Sequence, residues 1–125
     1  MHHTKTSGDI AELIVAAKFI KLGYTVCRPL SEHARYDLLI DDGKEILKVQ
    51  VKARSMKNGS ISIPKYTSNK VYEKGDFDLI AAYCIDTQEI AVLKFDDLLD
   101  TTVLRVVPTK NNQTKNIRLF ETYKI

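Results

Sequence analysis

A hairpin-like stretch in the first half of the chain limits the possible folds more than any other feature. In residues 36–53, the runs "YDLLI" and "EILKVQVKA" flank the turn "DDGK". Asp-Gly between two apolar runs is a strong signal for a β-hairpin. Val49, Val51 and Ala53 alternate with polar residues, which is typical of a strand with one buried face. The stretch therefore predicts an antiparallel pair of strands.

The length of the turn decides which side chains of the two strands share a face. A two-residue turn at 42–43, or a four-residue "DDGK" loop, would place Asp37 opposite Lys48. Because side chains alternate between faces with a period of two, Asp37 would then share a face with Lys48, Gln50 and Lys52. Gln50 would be a diagonal neighbour of Asp37, ~7–8 Å away between backbones. An odd number of turn residues would separate these groups.

Residues 7–22, "SGDIAELIVAAKFIKL", have the spacing of an amphipathic helix. Thr6 or Ser7 can cap its start, and Gly23 can end it. The predicted buried positions are Ile10, Leu13, Ile14, Ala17 and Ile20.

Glu12 falls on a second stripe of this helix, beside Val15, Ala16 and Phe19. A carboxylate on an apolar stripe costs free energy unless it has a partner. Glu12 therefore either faces water at the edge of the stripe or points toward the cluster around Asp37.

The rest of the chain contains mainly strand patterns. We predict strands at 24–30, 60–63, 78–85, 90–95 and 103–107, a short helix or turn at 96–100, a loop or short helix at 65–75 and a loop at 108–116. One helix followed mostly by hairpins predicts a small α/β or α+β fold, and 125 residues suit a single domain over 1–125.

Charge is unevenly distributed along the chain. Residues 44–74 contain eight basic and two acidic residues, whereas residues 76–102 contain seven acidic residues and one lysine. A basic middle suits contact with a polyanion such as nucleic acid, although an ordinary solvated surface has the same composition.

The cysteines and the apolar runs indicate an intracellular protein. Cys27 and Cys84 both lie in apolar strand-like contexts, which predicts buried free thiols. There is no CxxC or HExxH pattern, so a structural zinc site is not expected. No apolar run reaches the ~20 residues that span a bilayer, and no secretory signal is evident. We expect a cytoplasmic protein without a membrane partner.

The predicted cluster suits metal-dependent hydrolysis of a phosphodiester bond. Mg²⁺ prefers oxygen ligands from a few carboxylates, together with water and substrate phosphate. Asp37 would anchor the ion, and the Gln50 amide oxygen and the Val51 carbonyl would add ligands. Glu12 would bind through a water molecule or hold a second ion. Lys52 would orient or help deprotonate the attacking water and offset charge on the phosphate.

This ordered set resembles the PD-(D/E)xK nuclease superfamily, in which a helix glutamate is followed by a strand aspartate and then by (D/E)-x-K. Here the pattern stands as Glu12, Asp37 in "YD", and Gln50 with Lys52 in "QVK". The segments "SGDIAE", "YDLLI", "VQVKAR" and "GDFDLIAAYCID" resemble the branch of group I intron-associated homing endonucleases, over roughly residues 6–95. The resemblance implies a restriction-endonuclease-like core, with a central mixed β-sheet flanked by helices, and a Mg²⁺-dependent enzyme in which Mn²⁺ can substitute.

Two positions depart from the family pattern. Tyr36 stands where a proline precedes the aspartate, and Gln50 stands in place of the acid of (D/E)xK. Losing one negative charge at position 50 should weaken cation binding. Some homing endonucleases of this branch carry Gln there.

The resemblance also implies contacts with double-stranded DNA from the basic block. The expected DNA-binding residues are Arg54, Lys57, Lys65, Tyr66, Lys70 and Lys74. Tyr72 is expected to pack or to line a groove. Asn58, Asn69 and the loop 110–116 are candidates for reading base edges.

Four functions fit these observations. The first is a site-specific homing endonuclease, acting as a homo-oligomer (a dimer or tetramer) because one active site cuts one strand. The second is a Holliday-junction-resolvase-like or repair nuclease. The third is a catalytically inactive DNA-binding module of the same fold. The last is an interaction domain without DNA affinity.

Overall fold

A computed structural model describes residues 3–68, 70–108 and 117–125. The elements are α1 (His3–Lys21), β1 (Thr25–Cys27), β2 (Leu38–Asp41), β3 (Ile46–Arg54), β4 (Ser60–Pro64), β5 (Leu79–Cys84), β6 (Glu89–Lys94), a 3-10 helix (Phe95–Asp97), β7 (Thr101–Arg105) and α2 (Phe120–Tyr123). Strands are present at all the predicted places, most with ends shifted by one or two residues, but β1 ends at Cys27 and is much shorter than the strand predicted at 24–30. Most of the predicted loop at 108–116 lies outside the described residues.

The strands form two sheets. A five-stranded sheet has the order β1-β2-β3-β5-β6, and a two-stranded sheet joins β4 to β7. β3 and β5 are parallel, and the other neighbours in the large sheet are antiparallel. The large sheet is therefore mixed, and the predicted fold class is confirmed. Helix α1 covers one face of this sheet, while β4, β7 and α2 cover the other.

Strand β5 is buried on both sides of the large sheet. Ile80, Ala82 and Cys84 face the core on the β4–β7 side, and Ala81 and Tyr83 face the core under α1. A strand of this kind lies at the centre of a layered fold and reads as a continuous apolar run. The "DLIAAYCID" segment is therefore a further core strand, as expected.

The buried face of α1 differs from the predicted one. Ala11, Val15 and Phe19 are buried, whereas the side chains of Leu13 and Ile20 are each 60% exposed. The helix is apolar on more than one side, so spacing alone leaves the choice of face open. Ala11 has no exposed surface, and its small side chain lets this side of the helix lie close to the sheet. Most of the predicted apolar stripe faces outward.

The hairpin register also differs from the predicted one, by two residues. Asp41 pairs with Ile46, and Leu39 pairs with Lys48. The turn has four residues, 42–45, and the Asp42 carboxylate fixes it by accepting from two backbone N–H groups at 2.8 and 2.9 Å. A shift of two residues leaves the faces unchanged. The predicted sharing of one face by Asp37 and Gln50 therefore holds.

The cysteine prediction is half right. Cys84 is buried and free, but Cys27 is exposed. β1 is a three-residue strand at the edge of the sheet, and only its middle residue turns inward. In the described ranges, no helix combines the length and the apolar character needed to cross a bilayer.

Candidate active site

The carboxylate of Asp37 is fixed against the backbone of β3. Asp37 directly precedes β2, and its N–H donates to the carbonyl of Val49 at 2.8 Å. Its Oδ2 accepts a 2.8 Å hydrogen bond from the N–H of Val51. The two bonds go to alternate residues of one strand, so the position and direction of this carboxylate are set by the sheet.

Asp37 is costly to ionise where it lies. Burial raises the pKa of its carboxyl, and the nearby Glu12 carboxylate raises it further. The Val51 N–H and the positive charges of Lys52 and Arg28 oppose this rise without cancelling it. A carboxylate in such surroundings gains from an added cation.

Gln50 lies beside Asp37 and is nearly buried, with 8% of its surface exposed. Its Nε2 donates to the Val51 carbonyl at 3.5 Å, the outer limit of a hydrogen bond. Two of the predicted metal ligands therefore touch each other. The Gln50 oxygen and nitrogen exchange places when the amide rotates by half a turn, so either atom can face the Asp37 carboxylate.

Lys52 completes the row on this face of β3. Its Nζ lies 5.2 Å from the centroid of the Tyr72 ring. Burial lowers the pKa of the Lys52 ammonium, the Asp37 carboxylate opposes this shift and Arg54 adds to it. The ammonium is thus close enough to Asp37 for the two charges to act on each other.

Glu12 approaches the cluster from α1 but has a partner. Its Oε1 accepts a 3.0 Å hydrogen bond from Nη2 of Arg28. Glu12 and Asp37 border the same cleft, and the Glu12 charge contributes to the raised pKa of Asp37. Of the two accounts of Glu12, the structure favours the one in which the side chain points toward the cluster.

Asp37 lies where two surface clefts meet. One cleft of about 840 Å³ is bounded by Glu12, Arg28 and Tyr36, among others. The other, of about 350 Å³, is bounded by Gln50 and Tyr72. Asp37 borders both, so ligands can reach its carboxylate from either side.

The available donors fit a weak site for a hard divalent ion. Within the described ranges, no three His, Cys, Asp or Glu side chains converge on a point that could hold a metal. The donors at Asp37 are one carboxylate, the Gln50 amide and the Val51 carbonyl, with Glu12 nearby. Mg²⁺ is commonly held by one or two carboxylates, with water and substrate phosphate as further ligands. The donor set is sufficient for such an ion if the substrate contributes to binding.

Four of the expected DNA-binding residues lie in the segment that follows β4. Lys65 Nζ lies 4.3 Å from the centroid of the Phe95 ring. Tyr66 is 49% exposed, and Lys70 is exposed in the same segment. Lys74 is paired with Asp96 at 3.1 Å, and both side chains are exposed. An exposed pair of this kind contributes little to stability, so Lys74 can exchange its partner for a phosphate.

The remaining expected contacts lie near the end of β3. Arg54 is half-buried, and its Nε has no hydrogen-bond partner within the part of the chain that the structure describes. Lys57 is exposed in a tight turn, where Asn58 has a φ of 55°. Asn69 and the loop 110–116 lie outside the described residues. Tyr72, expected to pack or to line a groove, is buried in the core and also borders the smaller cleft.

Two arginines at the site were not predicted from the sequence. Arg28 pairs with Glu12, and Arg35 borders the smaller cleft with Asp37. Arg35 could have been noticed, because it lies two residues before Asp37 and has the same strand parity. Arg28 gave no signal, since its contact joins residues 16 positions apart.

Comparison with known proteins identifies a family and a relative. A family model described as "PD-(D/E)XK endonuclease" matches residues 2–125. Protein 5.3 of Escherichia phage T7 is 27% identical over 124 residues, which cover 95% of this chain and all of the phage protein.

Two solved structures extend the comparison. The bacterial homing endonuclease I-Ssp6803I superposes with a TM-score of 0.78 and 27% identity, covering 98% of this chain and 89% of its own. The Holliday junction resolvase Hjc of Archaeoglobus fulgidus superposes with a TM-score of 0.50 and 12% identity, covering 73% of this chain and 84% of its own. The second likeness shows the fold alone.

Proposed function

The chain belongs to the PD-(D/E)XK endonuclease family, and from that premise we propose that it is a Mg²⁺-dependent endonuclease that hydrolyses phosphodiester bonds in double-stranded DNA. One observation carries the proposal. The Asp37 carboxylate is held by the Val51 N–H at 2.8 Å, next to Gln50 and within electrostatic reach of Lys52. A fixed acidic oxygen can hold a metal ion that activates water, and a nearby lysine can offset charge on a phosphate, so this arrangement suits metal-assisted phosphodiester hydrolysis.

Each residue has a separate task in this proposal. Asp37, the Gln50 amide oxygen and the Val51 carbonyl would hold the ion, with Glu12 acting through a water molecule. A bound divalent ion lowers the pKa of a water ligand and offsets charge on the phosphate. Lys52 orients the attacking water and donates to a phosphate oxygen, where its positive charge stabilises the developing negative charge. Mn²⁺ presents the same kind of coordination to these donors and is expected to substitute.

Gln50 sets the strength of the metal site. An amide oxygen carries no net charge, so this site attracts a cation less strongly than the acid of the family pattern would. The substrate phosphate is then needed as a further ligand. Metal binding should accordingly be weak without DNA and stronger with it.

We infer that the enzyme is a site-specific homing endonuclease. The likeness to I-Ssp6803I over nearly the whole chain supports this assignment. The basic and aromatic segment 65–75 supports it as well, because Thr67 and Tyr72 border the cleft that contains Asp37. DNA lying along this segment would contact Lys65, Lys70 and Lys74 through its phosphates, and exposed side chains nearby would be free to contact bases.

Cutting both strands of a duplex in one binding event uses two active sites, and we propose that α1 provides the contact between copies. The side chains of Ile10, Leu13, Ala17 and Ile20 follow a 3-4-3 spacing and are exposed. This is the spacing of a helix seam that packs on a second helix. Two copies of α1 packed along this seam would cover an apolar stripe that otherwise faces water.

A matched pair of leucines tests this contact. Leu13 is 60% exposed and Leu99 is 58% exposed, so the two differ in location rather than in accessibility. Leu13→Lys should lower the mass in analytical ultracentrifugation, from dimer to monomer or from tetramer to dimer, while Leu99→Lys should leave the mass unchanged. A wild-type monomer at micromolar concentration, or equal behaviour of the two variants, would remove α1 from the proposal.

Cleavage of a set of DNA substrates tests the function. The wild-type protein is incubated with linear duplex, supercoiled plasmid and a four-way junction, each with Mg²⁺, Mn²⁺ or EDTA. Metal-dependent cutting of duplex at a long site is the expected result. Cutting confined to the junction would indicate a resolvase-like enzyme, and tight binding without cutting would indicate an inactive module. No binding of DNA would exclude all three.

A further inference from the structure

Arg35 borders the cleft of about 350 Å³ together with Asp37, Gln50 and Tyr72. It is the second residue before Asp37, and about a third of its side chain is exposed. A cation at this position faces the same space as the residues proposed to hold the metal ion. Arg35 has no role in the mechanism described above.

Arg35 and Lys52 share one aromatic ring. The Cζ atom of Arg35 lies 5.1 Å from the centroid of the Tyr72 ring, and Lys52 Nζ lies 5.2 Å from the same point. The Tyr72 ring packs edge-on against the buried Phe77 ring, with 5.2 Å between centroids, and this contact holds it in place. Phe77 packs in turn against Phe95 at 5.1 Å. Two cations are therefore held beside one rigid platform, each within the range of a cation–π contact.

Among the described residues, the guanidinium of Arg35 makes one long hydrogen bond. Its hydrogen bond to Oδ2 of Asp76 is 3.5 Å long, and the same oxygen accepts a 2.8 Å bond from the N–H of Glu73. Asp76 is thus mainly a cap of its own turn. The Nε of Arg35 is buried and lacks a hydrogen-bond partner in the described ranges. A guanidinium has five N–H donors, so this side chain is held in place with little of its hydrogen-bonding capacity used.

We propose that Arg35 and Lys52 form a seat for one phosphate of the bound DNA, with the Tyr72 ring as its platform. The proposal rests on the proposed function and adds Arg35 to its substrate-binding residues. Asp76 lies 3.5 Å from Arg35 and Asp37 acts on Lys52, and a phosphate in contact with both cations would add a further attraction. A phosphate has several acceptor oxygens, so it can receive hydrogen bonds from a guanidinium fork and an ammonium at once. Arg35 and Asp37 border the same cleft, and the charges of Lys52 and Asp37 act on each other, so this phosphate would lie next to Asp37.

DNA binding without metal tests the seat independently of cleavage. Affinity for a labelled duplex is measured by fluorescence anisotropy in EDTA over a series of salt concentrations. The logarithm of the binding constant falls linearly with the logarithm of the salt concentration, and losing one phosphate contact makes this slope shallower by about 0.9. Arg35→Gln should show this decrease together with weaker binding. Lys44→Gln, which removes the same charge from the β2–β3 turn, should keep the wild-type slope.

Single-turnover cleavage tests whether the phosphate lies at the reacting bond. At saturating enzyme, Arg35→Gln should cut about 100-fold more slowly, as expected when a group that stabilises transition-state charge is removed. Arg35→Lys retains the positive charge without the guanidinium fork, so its cleavage rate should lie between those of the wild type and Arg35→Gln.

The outcomes separate this proposal from the proposed function. A folded Arg35→Gln variant with the wild-type salt slope and cleavage rate would overturn the seat and leave the nuclease assignment standing. A wild-type protein that binds DNA but does not cut would overturn the proposed activity, while the salt slopes would still decide whether Arg35 contacts a phosphate. Melting curves of each variant confirm folding.

Discussion

Asp37→Asn should make the metal-free protein more stable. Burial raises the pKa of the Asp37 carboxyl, and this effect exceeds the opposing effects of the Val51 N–H and the nearby cations. The ionised carboxylate therefore destabilises the folded chain at neutral pH. Asparagine has nearly the same shape, carries no charge and keeps an oxygen that can accept from Val51.

The size of the gain is the difference between two opposing effects. The 2.8 Å bond from Val51 goes to a charged acceptor, and such bonds contribute about 1 kcal/mol more than neutral ones. The Asp37→Asn variant loses that extra hydrogen-bond energy but also avoids the larger cost of burying a charge. We expect a net gain on the order of 1 kcal/mol, the usual size of a point substitution. For a domain of 125 residues this corresponds to a rise in Tm of about 3–5 °C.

The pH dependence has a defined sign. Because the pKa of Asp37 is raised in the folded state, the cost of its charge is absent at low pH, where the group is protonated in both folded and unfolded chains. The cost develops as the pH rises through the folded-state pKa. The difference in Tm between Asp37→Asn and the wild type should therefore be near zero around pH 3.5 and largest at neutral pH.

Asp42→Asn is the matched control, with the opposite sign. Hydrogen bonds from the N–H groups of Glu45 and Lys44 lower the pKa of the exposed Asp42 carboxyl. Asp42→Asn should be less stable than the wild type at neutral pH, and this loss should vanish as the pH falls. Thermal melts in EDTA between pH 3.5 and pH 8 measure both variants. A less stable Asp37→Asn variant at pH 7, or a difference independent of pH, would refute the reasoning.

Three further predictions concern the surroundings of the site. Burial lowers the pKa of the Lys52 ammonium, so Lys52→Met should be more stable than the wild type in urea melts at pH 7. The difference in the free energy of unfolding should narrow toward pH 10, and a difference independent of pH would argue against a burial cost. Arg28→Gln frees the Glu12 carboxylate and removes a competing cation. Unit charges about 4 Å apart interact by roughly 1 kcal/mol in water, so calorimetry should find Mn²⁺ bound about fivefold more tightly by the variant. Weaker Mn²⁺ binding would contradict this interpretation of the Arg28–Glu12 pair. Phe77→Ala removes a buried ring that packs against Tyr72 and should lower the free energy of unfolding by about 3–5 kcal/mol. A loss below about 1 kcal/mol would mean that Phe77 contributes little to the packing around Tyr72.

The hairpin shows why part of the site could be predicted from sequence. The register depends on which residues form the turn, and "DDGK" allows more than one choice. The face of each side chain depends only on whether the shift is even or odd. A four-residue turn at 42–45 moved the pairing by two, so Asp37 still lies against the strand that carries Gln50 and Lys52.

Helix α1 shows where sequence reasoning fails. Both stripes of the helix are apolar, and periodicity cannot say which one meets the sheet. The answer came from packing, since Ala11 and Phe19 lie against the large sheet while Leu13 remains exposed. Contacts between distant parts of the chain could not be predicted from local sequence patterns either. Arg28 meets Glu12 only because β1 runs beside α1, and no local pattern reports that contact.

The most direct test of the central claim is plasmid cleavage by the wild type and by Asp37→Asn in the same buffer with Mg²⁺. Asp37→Asn changes one charge at the proposed metal ligand and is expected to keep the fold, so a loss of activity in a variant that melts normally cannot be assigned to unfolding. We predict that the wild type cuts with Mg²⁺ and not with EDTA, and that the variant, equally folded by its melting curve, does not cut. A variant that cuts within a few-fold of the wild-type rate would contradict the assignment of Asp37 as the anchor of a metal-dependent nuclease.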